Sequence, residues 1–514
     1  MNHAVILPVL LPAACAVLCL LAGSERLRLQ RAIAVLACVG LAVVALGALE
    51  HAARGAIEAY RPGDWPAPFG IVLVLDRLAA LMLALTAVVA VATLVAAMTG
   101  PEPWDRRGRF FHPFFQFQLA GLNGAFLTGD LFNLFVFFEL LLVASYCLLL
   151  HGRGVERLRA GFHYVVVNLA ASALFLVAIA ALYSVTGTLN LADLALEVPR
   201  LGHGEVPIAR AAALVLLVVF AVKAAVFPLY FWLPGAYAAA APPVAALFAI
   251  MTKVGVYAVL RVHGLVFGPE AGGTALVAGP WLLAGAVATV AFGAAGAFAA
   301  TGLARMAAYL TVASVGTLLA GVAVFSPASL GAALYYLVHS TLALAALFLL
   351  AAPIAAQRGG DGFDARPAVA QQALLGAAFA VCATAIAGLP PLAGFVGKLG
   401  LLQATGALPA TPLLWAVLLG GGLAATIALA RAASALFWKT AAGGPPPAPA
   451  SPGSLAPMAA LLACGIALAI FAAPVKRYTD ATARQLADRR LYEPRVLGEP
   501  GRSSVRPFPP SARP

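Results

Sequence analysis

Long apolar segments recur along the whole chain, and they constrain its fold more than any other feature. Hydrophobic residues make up 63% of the 514 residues and charged residues only 10%, whereas a soluble domain carries about 25% charged residues. About twenty consecutive apolar residues are enough for a helix to cross the hydrocarbon core of a membrane. The chain is therefore predicted to be an all-α polytopic membrane protein that lies in a lipid bilayer.

About fourteen transmembrane helices are predicted, with boundaries placed to within a few residues. They lie near residues 4–22, 31–49, 76–98, 112–129, 131–150, 161–184, 207–233, 242–263, 275–299, 303–325, 328–352, 371–402, 412–438 and 456–474. The proline-rich stretch 441–455 is predicted to be a linker. The polar, basic residues 475–514 are predicted to form a largely disordered tail.

The net charge of +12 is concentrated in short loops and in the tail. Arginine-rich loops at 24–31, 104–110 and 152–161 follow the first, third and fifth spans. This pattern predicts a multi-pass membrane protein with these loops in the cytoplasm and the N-terminus outside. An even number of spans then places the basic tail outside too, which conflicts with the rule that basic segments lie on the cytoplasmic side. No basic stripe with interleaved aromatic residues is present, so nucleic-acid binding is not predicted.

The sequence carries no motif of soluble-enzyme chemistry. It has no glycine-rich phosphate loop, CxxC pair, HExxH motif or serine elbow. Its cysteines lie inside apolar runs without metal-ligand spacing, and are predicted to be buried thiols at positions 15, 19, 38, 147, 382 and 464. The sequence therefore predicts a transport protein rather than an enzyme, with no cofactor and no metal.

Prolines interrupt the seventh and twelfth predicted spans. "FAVKAAVFPLYFWLPGAY" contains Pro228 and Pro234, and "AIAGLPPLAGFVGKLG" contains Pro390 and Pro391. Because proline removes an amide donor and clashes with the preceding turn, both helices are predicted to be broken. The alternative is that these are ordinary prolines, which are common in membrane helices.

Breaks at corresponding positions of two halves mark the transport path in inverted-repeat transporters. Two inverted five-helix repeats are therefore predicted, 112–263 (helices 4–8) and 264–440 (helices 9–13). Before them lie helices 1–3 in 1–111. After them come the linker with helix 14 in 441–474 and the tail in 475–514.

Five ionisable residues remain inside the spans. They are Glu139 in span five, Lys223 in span seven, Lys253 in span eight, His339 in span eleven and Lys398 in span twelve. An ionisable group at mid-depth costs roughly 3 kcal/mol or more, and its default interpretation is functional. Burial disfavours the charged form of a lysine and a nearby carboxylate favours it. A Glu139–Lys223 pair is therefore predicted to control proton release toward Lys253, and His339 to connect the two halves.

Structural roles are the alternative for each of these residues. A buried Glu–Lys pair can fix helix register, a lysine near a span end can reach the interface, and a lone histidine can bond its neighbours. Asp130 is predicted to cap span five, and Asp76 with Arg77 to anchor the start of span three. Asn168 and Ser172 in span six are interpreted as routine helix packing, and the alternative is that they contact hydration water.

Three stretches resemble the proton-translocating membrane subunits of respiratory complex I and of Mrp-type sodium/proton antiporters. They are "GAFLTGDLFNLFVFFELLLVASYCLLLHG" (124–152), "LYSVTGTLNLADL" (182–194) and "KAAVFPLYFWLPGAY" (223–237), within a resemblance that covers roughly 70–440. In that family a glutamate on helix five and lysines on helices seven, eight and twelve form a hydrated relay. The resemblance implies that role for Glu139, Lys223, Lys253 and Lys398.

Within this superfamily the chain is more similar to Mrp antiporters than to complex I subunits. "LTVASVG" and "LYYLVHSTLALAALFLLA" support that assignment, as do Gly235 after "WLP" and Ala343, four residues after the helix-eleven histidine. The resemblance implies a subunit of a hetero-oligomer in the bacterial cytoplasmic membrane. This complex exchanges cytoplasmic sodium for external protons and supports pH homeostasis, without a cofactor.

Two alternatives remain open at this point. One is a proton-pumping membrane subunit of an NADH:quinone oxidoreductase or a membrane-bound hydrogenase, in which the redox chemistry takes place in other chains. The other is an independent carrier or a structural scaffold.

Overall fold

The protein is a helical bundle, seen in a computed structural model that describes residues 3–100, 103–152, 154–406, 409–441 and 448–498. Within these ranges there are nineteen α-helices and one antiparallel two-stranded hairpin. The predicted all-α membrane fold is confirmed, and the hairpin is its one element of sheet among the described residues.

The N-terminal part holds three helices and the hairpin. Asp76 caps the third helix, since its carboxylate accepts a hydrogen bond of 2.9 Å from the Ala79 amide. The role predicted for Asp76 at this helix start is therefore confirmed. The elements are α1 (Leu7–Ala22), α2 (Leu27–Ala53), β1 (Glu58–Tyr60), β2 (Leu73–Leu75) and α3 (Arg77–Met98).

The next seven helices include the first broken span. Asp130 caps α5 as predicted, because its carboxylate accepts a hydrogen bond of 2.8 Å from the Asn133 amide. The predicted seventh span is divided into α8 and α9. The helices are α4 (Phe111–Leu127), α5 (Leu131–Leu150), α6 (Val155–Thr186), α7 (Leu191–Glu197), α8 (Val206–Ala224), α9 (Trp232–Ala239) and α10 (Pro242–Arg261).

Six helices follow, and they include the second broken span. The predicted twelfth span is divided into α14 and α15 at the double proline. The helices are α11 (Gly279–Ala299), α12 (Leu303–Val322), α13 (Pro327–Arg358), α14 (Gln372–Ala387), α15 (Ala393–Ala404) and α16 (Thr411–Phe437).

Eleven helices of the described residues are long and apolar enough to cross a membrane. The remaining predicted spans correspond to shorter helices: α1 with 16 residues, α4 with 17, and the broken pair α14 and α15. The multi-pass architecture is confirmed, while the count of fourteen spans stays a prediction.

Glycines bring the first two helices of each predicted repeat into close contact. A Cβ on Gly121 of α4 would lie 2.6 Å from the backbone nitrogen of Leu141 on α5. A Cβ on Gly293 of α11 would lie 2.5 Å from the backbone nitrogen of Ala313 on α12. Only a residue without a side chain permits either approach. The division into two five-helix repeats stays a prediction, and these matching contacts support it.

The prediction of a disordered tail is wrong for the first two dozen residues of that segment. The chain continues from α17 (Pro452–Ile470) into α18 (Ala472–Ala487) and α19 (Arg489–Leu497). In α18 the buried residues Thr479, Thr482 and Ala483 form one face at helical spacing. Overall polarity hides such a stripe, and this face packs on the bundle. The residues after 498 lie outside the described part, as do residues 442–447 of the predicted linker.

The helical tail lies at the same end of the bundle as the loops predicted to be outside. Arg489 donates a hydrogen bond of 2.9 Å to the carbonyl of Ala195 in α7, and Arg61 near the hairpin donates one of 2.9 Å to the carbonyl of Val496. The tail and the connection 185–206 therefore share one side, as an even number of spans requires.

Candidate functional site

The break after α8 follows from local hydrogen bonding. Pro228 has no amide hydrogen for the carbonyl of Ala224, four residues earlier, and Ala225 adopts a left-handed conformation with φ 59°. The Phe227 amide instead donates a hydrogen bond of 2.9 Å to the hydroxyl of Thr289 on α11. Pro228 is therefore confirmed at a break. Pro234 is not, because it lies in the first turn of α9, where a proline is tolerated.

Lys223 lies in the last turn of α8, next to this break, and is 7% exposed. Its Nζ donates to three oxygens of α6, each at 3.4 Å: the carbonyl and Oδ1 of Asn168 and the hydroxyl of Ser172. Ser172 in turn donates a hydrogen bond to the carboxylate of Glu139 on α5. Three helices thus bring an acid, a hydroxyl and an amine together.

In the described part of the chain Glu139 and Lys223 make no direct ion pair, and Ser172 lies between the two charges. The predicted pairing of these two charges stays a prediction. The interpretation of Asn168 and Ser172 as routine packing is wrong. The two residues are one helical turn apart and face the same side of α6. This spacing of two polar residues in an apolar span was the sequence signal for them.

Lys253 is fully buried in α10. Its Nζ donates a hydrogen bond of 3.3 Å to the Thr252 hydroxyl and one of 3.2 Å to the Ser314 hydroxyl of α12. The Ser314 hydroxyl donates its own hydrogen bond, of 2.7 Å, to the carbonyl of Thr311. Among the described residues, the Lys253 amine therefore donates hydrogen bonds to hydroxyl groups alone. One of these hydroxyls comes from the second predicted repeat.

A small cavity separates Lys223 from α10. Its free space for water-sized molecules is about 10 Å³, and Met251 and Val254, which flank Lys253 along the helix, line it with Lys223 and Asn168. That volume is close to the minimum that one water needs. Lys253 itself does not line this cavity, so proton transfer between the two lysines requires side-chain movement as well as water at this point.

A larger cavity, here called the Lys398 cavity, joins Ser314 to the second broken helix. It has about 30 Å³ of free space for water-sized molecules, which holds about two waters. Polar side chains line it at intervals: Ser314, Thr317, Tyr336, His339, Ser340 and Lys398. The structure thus brings Lys253, His339 and Lys398 to one connected polar region.

Lys398 occupies the break that the double proline creates. Pro390 and Pro391 have no amide hydrogens for the carbonyls of Ile386 and Ala387, four residues before each. The Nζ of Lys398 donates to these same two oxygens, at 3.1 Å and 2.8 Å. Its positive charge also faces the negative end of the α14 dipole. Both prolines are confirmed at a break. The Lys398 amine takes the place of the two missing amide donors.

Buried ion pairs that the sequence did not predict lie at each end of the bundle. At the end that carries the tail, Arg261 of α10 donates to both carboxylate oxygens of Asp76, at 2.5 Å and 2.6 Å. At the other end, Asp105 accepts from Arg31 at 2.6 Å and from His112 at 3.0 Å. Burial raises the pKa of Asp105, but these hydrogen bonds outweigh it and the pKa is lowered.

The six cysteines are free thiols. Among the residues that the structure describes, no group of three or more His, Cys, Asp or Glu side chains is placed to hold a metal ion. The ionisable groups of the site are therefore one carboxylate, three amines and one imidazole, connected by hydroxyls. Such a set can hold and pass protons.

The family described as NADH:quinone oxidoreductase/Mrp antiporter, transmembrane, matches residues 128–424. In Rhizobium meliloti, a probable K(+)/H(+) antiporter subunit of type D is 42% identical over 537 residues, covering 97% of this chain and 98% of the relative. In Alkalihalophilus pseudofirmus, a Na(+)/H(+) antiporter subunit of type D is 38% identical over 504 residues, covering 97% and 100%. A chain in the Mrp complex from Dietzia sp. DQ12-45-1b is 28% identical with a TM-score of 0.85, covering 97% and 100%.

Proposed function

The chain belongs to the NADH:quinone oxidoreductase/Mrp antiporter membrane family, as the type-D subunit of a cation/proton antiporter, and we propose that it conducts protons through the buried row from Glu139 to Lys398. It is a multi-pass protein of the bacterial cytoplasmic membrane and a transporter component rather than an enzyme. Its partners are other subunits of a multisubunit antiporter.

The observation that carries the proposal is the bridge between the first two charges. Ser172 donates to Glu139 and accepts from Lys223 at 3.4 Å. An ionised Glu139 therefore stabilises a charged Lys223 through one hydroxyl. If Glu139 is neutralised or moves away, that stabilisation is lost and the desolvated ammonium gives up its proton more readily.

The released proton crosses the small cavity toward α10 and reaches Lys253 when side chains there move. Ser314 connects Lys253 to the Lys398 cavity. His339 and Lys398 both line that cavity, so either group can take the proton through one or two waters. Lys398 rests on two carbonyl oxygens, which accept hydrogen bonds from a charged amine. A relay of this kind supports transport in either direction, and the proton gradient sets the net flow.

The exchanged ion is proposed to be a monovalent cation, with Na⁺ as the first choice and K⁺ as the alternative that one relative's name raises. Within the described residues Glu139 is the sole acidic side chain of the row. Coupling between proton and cation movement is therefore proposed to involve neighbouring subunits. Exchange of cytoplasmic Na⁺ for external protons would support pH homeostasis.

The test uses everted membrane vesicles that contain the complete antiporter, with a pH-sensitive dye and added NaCl or KCl. Glu139→Gln and Lys223→Ala are expected to abolish most cation-dependent proton exchange at normal protein levels. Glu156→Gln, in the exposed first turn of α6, is the matched control and should exchange like wild type. Full exchange in Glu139→Gln vesicles would refute the proposed relay.

Purification of the tagged protein from native membranes separates this function from that of a redox complex. Co-purifying small hydrophobic antiporter subunits and a larger paralogue, without flavin or iron–sulfur proteins, is the expected result. Redox subunits in the preparation would instead make the chain a pump driven by electron transfer, with the relay unchanged.

A further inference from the structure

The three hydrogen bonds from Lys223 to α6 are too long to fix the position of its amine. Each of them measures 3.4 Å, whereas N–H···O hydrogen bonds in proteins usually measure about 2.7–3.2 Å. A contact of about 3.6 Å is no longer a hydrogen bond, so a shift of roughly 0.2 Å would separate Lys223 from Ser172. Other contacts therefore have to hold the last turn of α8 in place.

Trp232 supplies such a contact from the other side of the helix break. It is the first residue of α9 and is buried, and its indole Nε1 donates a hydrogen bond of 3.0 Å to the carbonyl of Val222. Val222 directly precedes Lys223 in α8. In a regular helix this carbonyl would pair with the Val226 amide, but that amide donates to Ala221 instead. The indole thus caps the end of α8 and ties together the two segments that flank the break.

The ring of Tyr164 on α6 holds this indole in turn. The two rings are stacked, with centroids 4.9 Å apart and planes at 25°, and both side chains are buried. The Tyr164 hydroxyl lies 2.8 Å from the Ser145 hydroxyl of α5. Ser145 already donates to the Leu142 carbonyl at 2.7 Å, so the Tyr164 hydroxyl is the donor. One aromatic pair, Trp232 and Tyr164, therefore connects α5, α6, α9 and the end of α8.

Tyr164 also sets the orientation of the Asn168 side chain, one turn further along α6. Nδ2 of Asn168 donates a hydrogen bond of 3.0 Å to the Tyr164 carbonyl. Because only the nitrogen of this amide can donate to a carbonyl, Oδ1 is left to accept from Lys223 at 3.4 Å. Tyr164, Asn168, Lys223 and Trp232 all line the same small cavity. The aromatic pair thus borders the place where the amine is held.

We infer that Trp232 and Tyr164 are positioning residues of the relay, which set the distance between the Lys223 amine and the Ser172 hydroxyl. This inference rests on the proposed function and names residues that act on its first step. Neither residue carries a proton. They hold the end of α8 against α6, where the break leaves α8 without a continuing helix. A loosened end would let Lys223 withdraw from Ser172, and Glu139 would then lose its influence on the amine.

Trp232→Phe tests the tie across the break, because phenylalanine keeps an aromatic ring and removes the N–H donor. The Val222 carbonyl keeps a hydrogen bond of 3.1 Å from the Ala225 amide, so the variant is expected to fold. In everted vesicles with the complete antiporter, exchange should fall about fivefold, the factor that one neutral hydrogen bond contributes. The half-saturating cation concentration should not change. Trp281→Phe, at an exposed position of α11, is the matched control and should exchange like wild type.

Tyr164→Phe is a second test that leaves the stacked ring in place. It removes the hydroxyl that donates to Ser145, and exchange should again fall several-fold. The Ser145 hydroxyl keeps its own hydrogen bond to Leu142. Tyr183→Phe, at an exposed position of the same helix, is the matched control. Wild-type exchange in both Trp232→Phe and Tyr164→Phe, at normal protein levels, would overturn the inference.

A double variant separates positioning from general packing. If Trp232 acts through the contact of Lys223 with Ser172, its substitution should add nothing once that hydroxyl is gone. Ser172→Ala and the variant that carries both Ser172→Ala and Trp232→Phe are therefore expected to exchange at the same rate, to within about twofold. A further loss by the full factor of Trp232→Phe alone would show that the tryptophan acts on packing in general, against the inference.

The outcomes separate the two proposals. Slow exchange in Ser172→Ala together with wild-type exchange in Trp232→Phe and Tyr164→Phe would overturn the positioning role and leave the relay intact. Wild-type exchange in Glu139→Gln and Ser172→Ala would remove the relay itself. Slow exchange in all four single variants, without a further loss in the double variant, would support both.

Discussion

Lys398 donates a hydrogen bond of 2.8 Å to the carbonyl oxygen of Ala387, the last residue of α14. A regular helix would satisfy this carbonyl with the amide of residue 391, which is a proline. The break and the buried amine are therefore one structural unit. A proton carrier placed there also holds the helix end together, so its charge state and the local fold are linked.

Lys398→Met is expected to reduce both stability and exchange. Two carbonyl oxygens lose their donor, which costs about 1–3 kcal/mol, and the relay loses its last amine. Thermal unfolding of the purified complex and dye-monitored exchange in vesicles measure the two effects. Lys439→Met, at an exposed position past the end of α16, serves as the control. A Lys398→Met protein as stable as the control would contradict the capping role.

Ser172→Ala is expected to slow exchange about 10- to 100-fold. Hydrogen bonds to charged groups contribute about 1.5–3 kcal/mol, and each ~1.4 kcal/mol is a tenfold change in rate. The alanine removes the hydroxyl that joins Glu139 to Lys223 and leaves both charges in place. Ser184→Ala on the same helix removes a hydroxyl that donates a hydrogen bond to the Ala181 carbonyl, far from either charge in the sequence, and should have wild-type rates. Equal rates in the two variants would show that the bridge is dispensable.

Asp105→Asn is expected to destabilise the protein at neutral pH and to have less effect in acid. The hydrogen bonds from His112 and Arg31 outweigh burial and hold the pKa of Asp105 below its usual value, which is about 3.9 in an unfolded chain. Its stabilising contribution is therefore complete above about pH 5 and is lost as pH falls through the folded-state pKa. The measurement is the difference in unfolding temperature between wild type and variant as a function of pH. A difference that grows on acidification would reverse the predicted sign.

Tyr492→Phe is expected to leave stability unchanged or to raise it slightly. The Tyr492 hydroxyl of α19 is buried without a hydrogen-bond partner among the described residues, and such a group costs free energy in the folded state. Tyr478→Phe on α18 is the contrasting variant, because that hydroxyl donates 3.0 Å to the Arg77 carbonyl. Its loss should cost about 1 kcal/mol. Thermal unfolding in detergent compares the two, and a larger loss for Tyr492→Phe would contradict the assignment.

The fold class followed from composition and from the length of the apolar stretches, because a chain with so few charges has to satisfy its backbone inside helices when it lies in lipid. Pro228, Pro390 and Pro391 predicted their breaks from backbone chemistry alone. Pro234 did not, because the effect of a proline depends on where a helix starts. The tail was mispredicted for a similar reason, since its polarity is an average and its packing depends on one face.

The amino-acid sequence is enough to identify the residues that carry charge into the membrane, because that cost is set by residue type and depth. How those charges meet depends on the packing of the helices. Ser172 lies between Glu139 and Lys223, Ser314 joins Lys253 to the Lys398 cavity, and His339 lines that cavity. A serine costs little in a membrane helix and gives a weak signal in sequence. Its position against a charge on another helix is a property of the folded bundle, which the sequence of one helix does not contain.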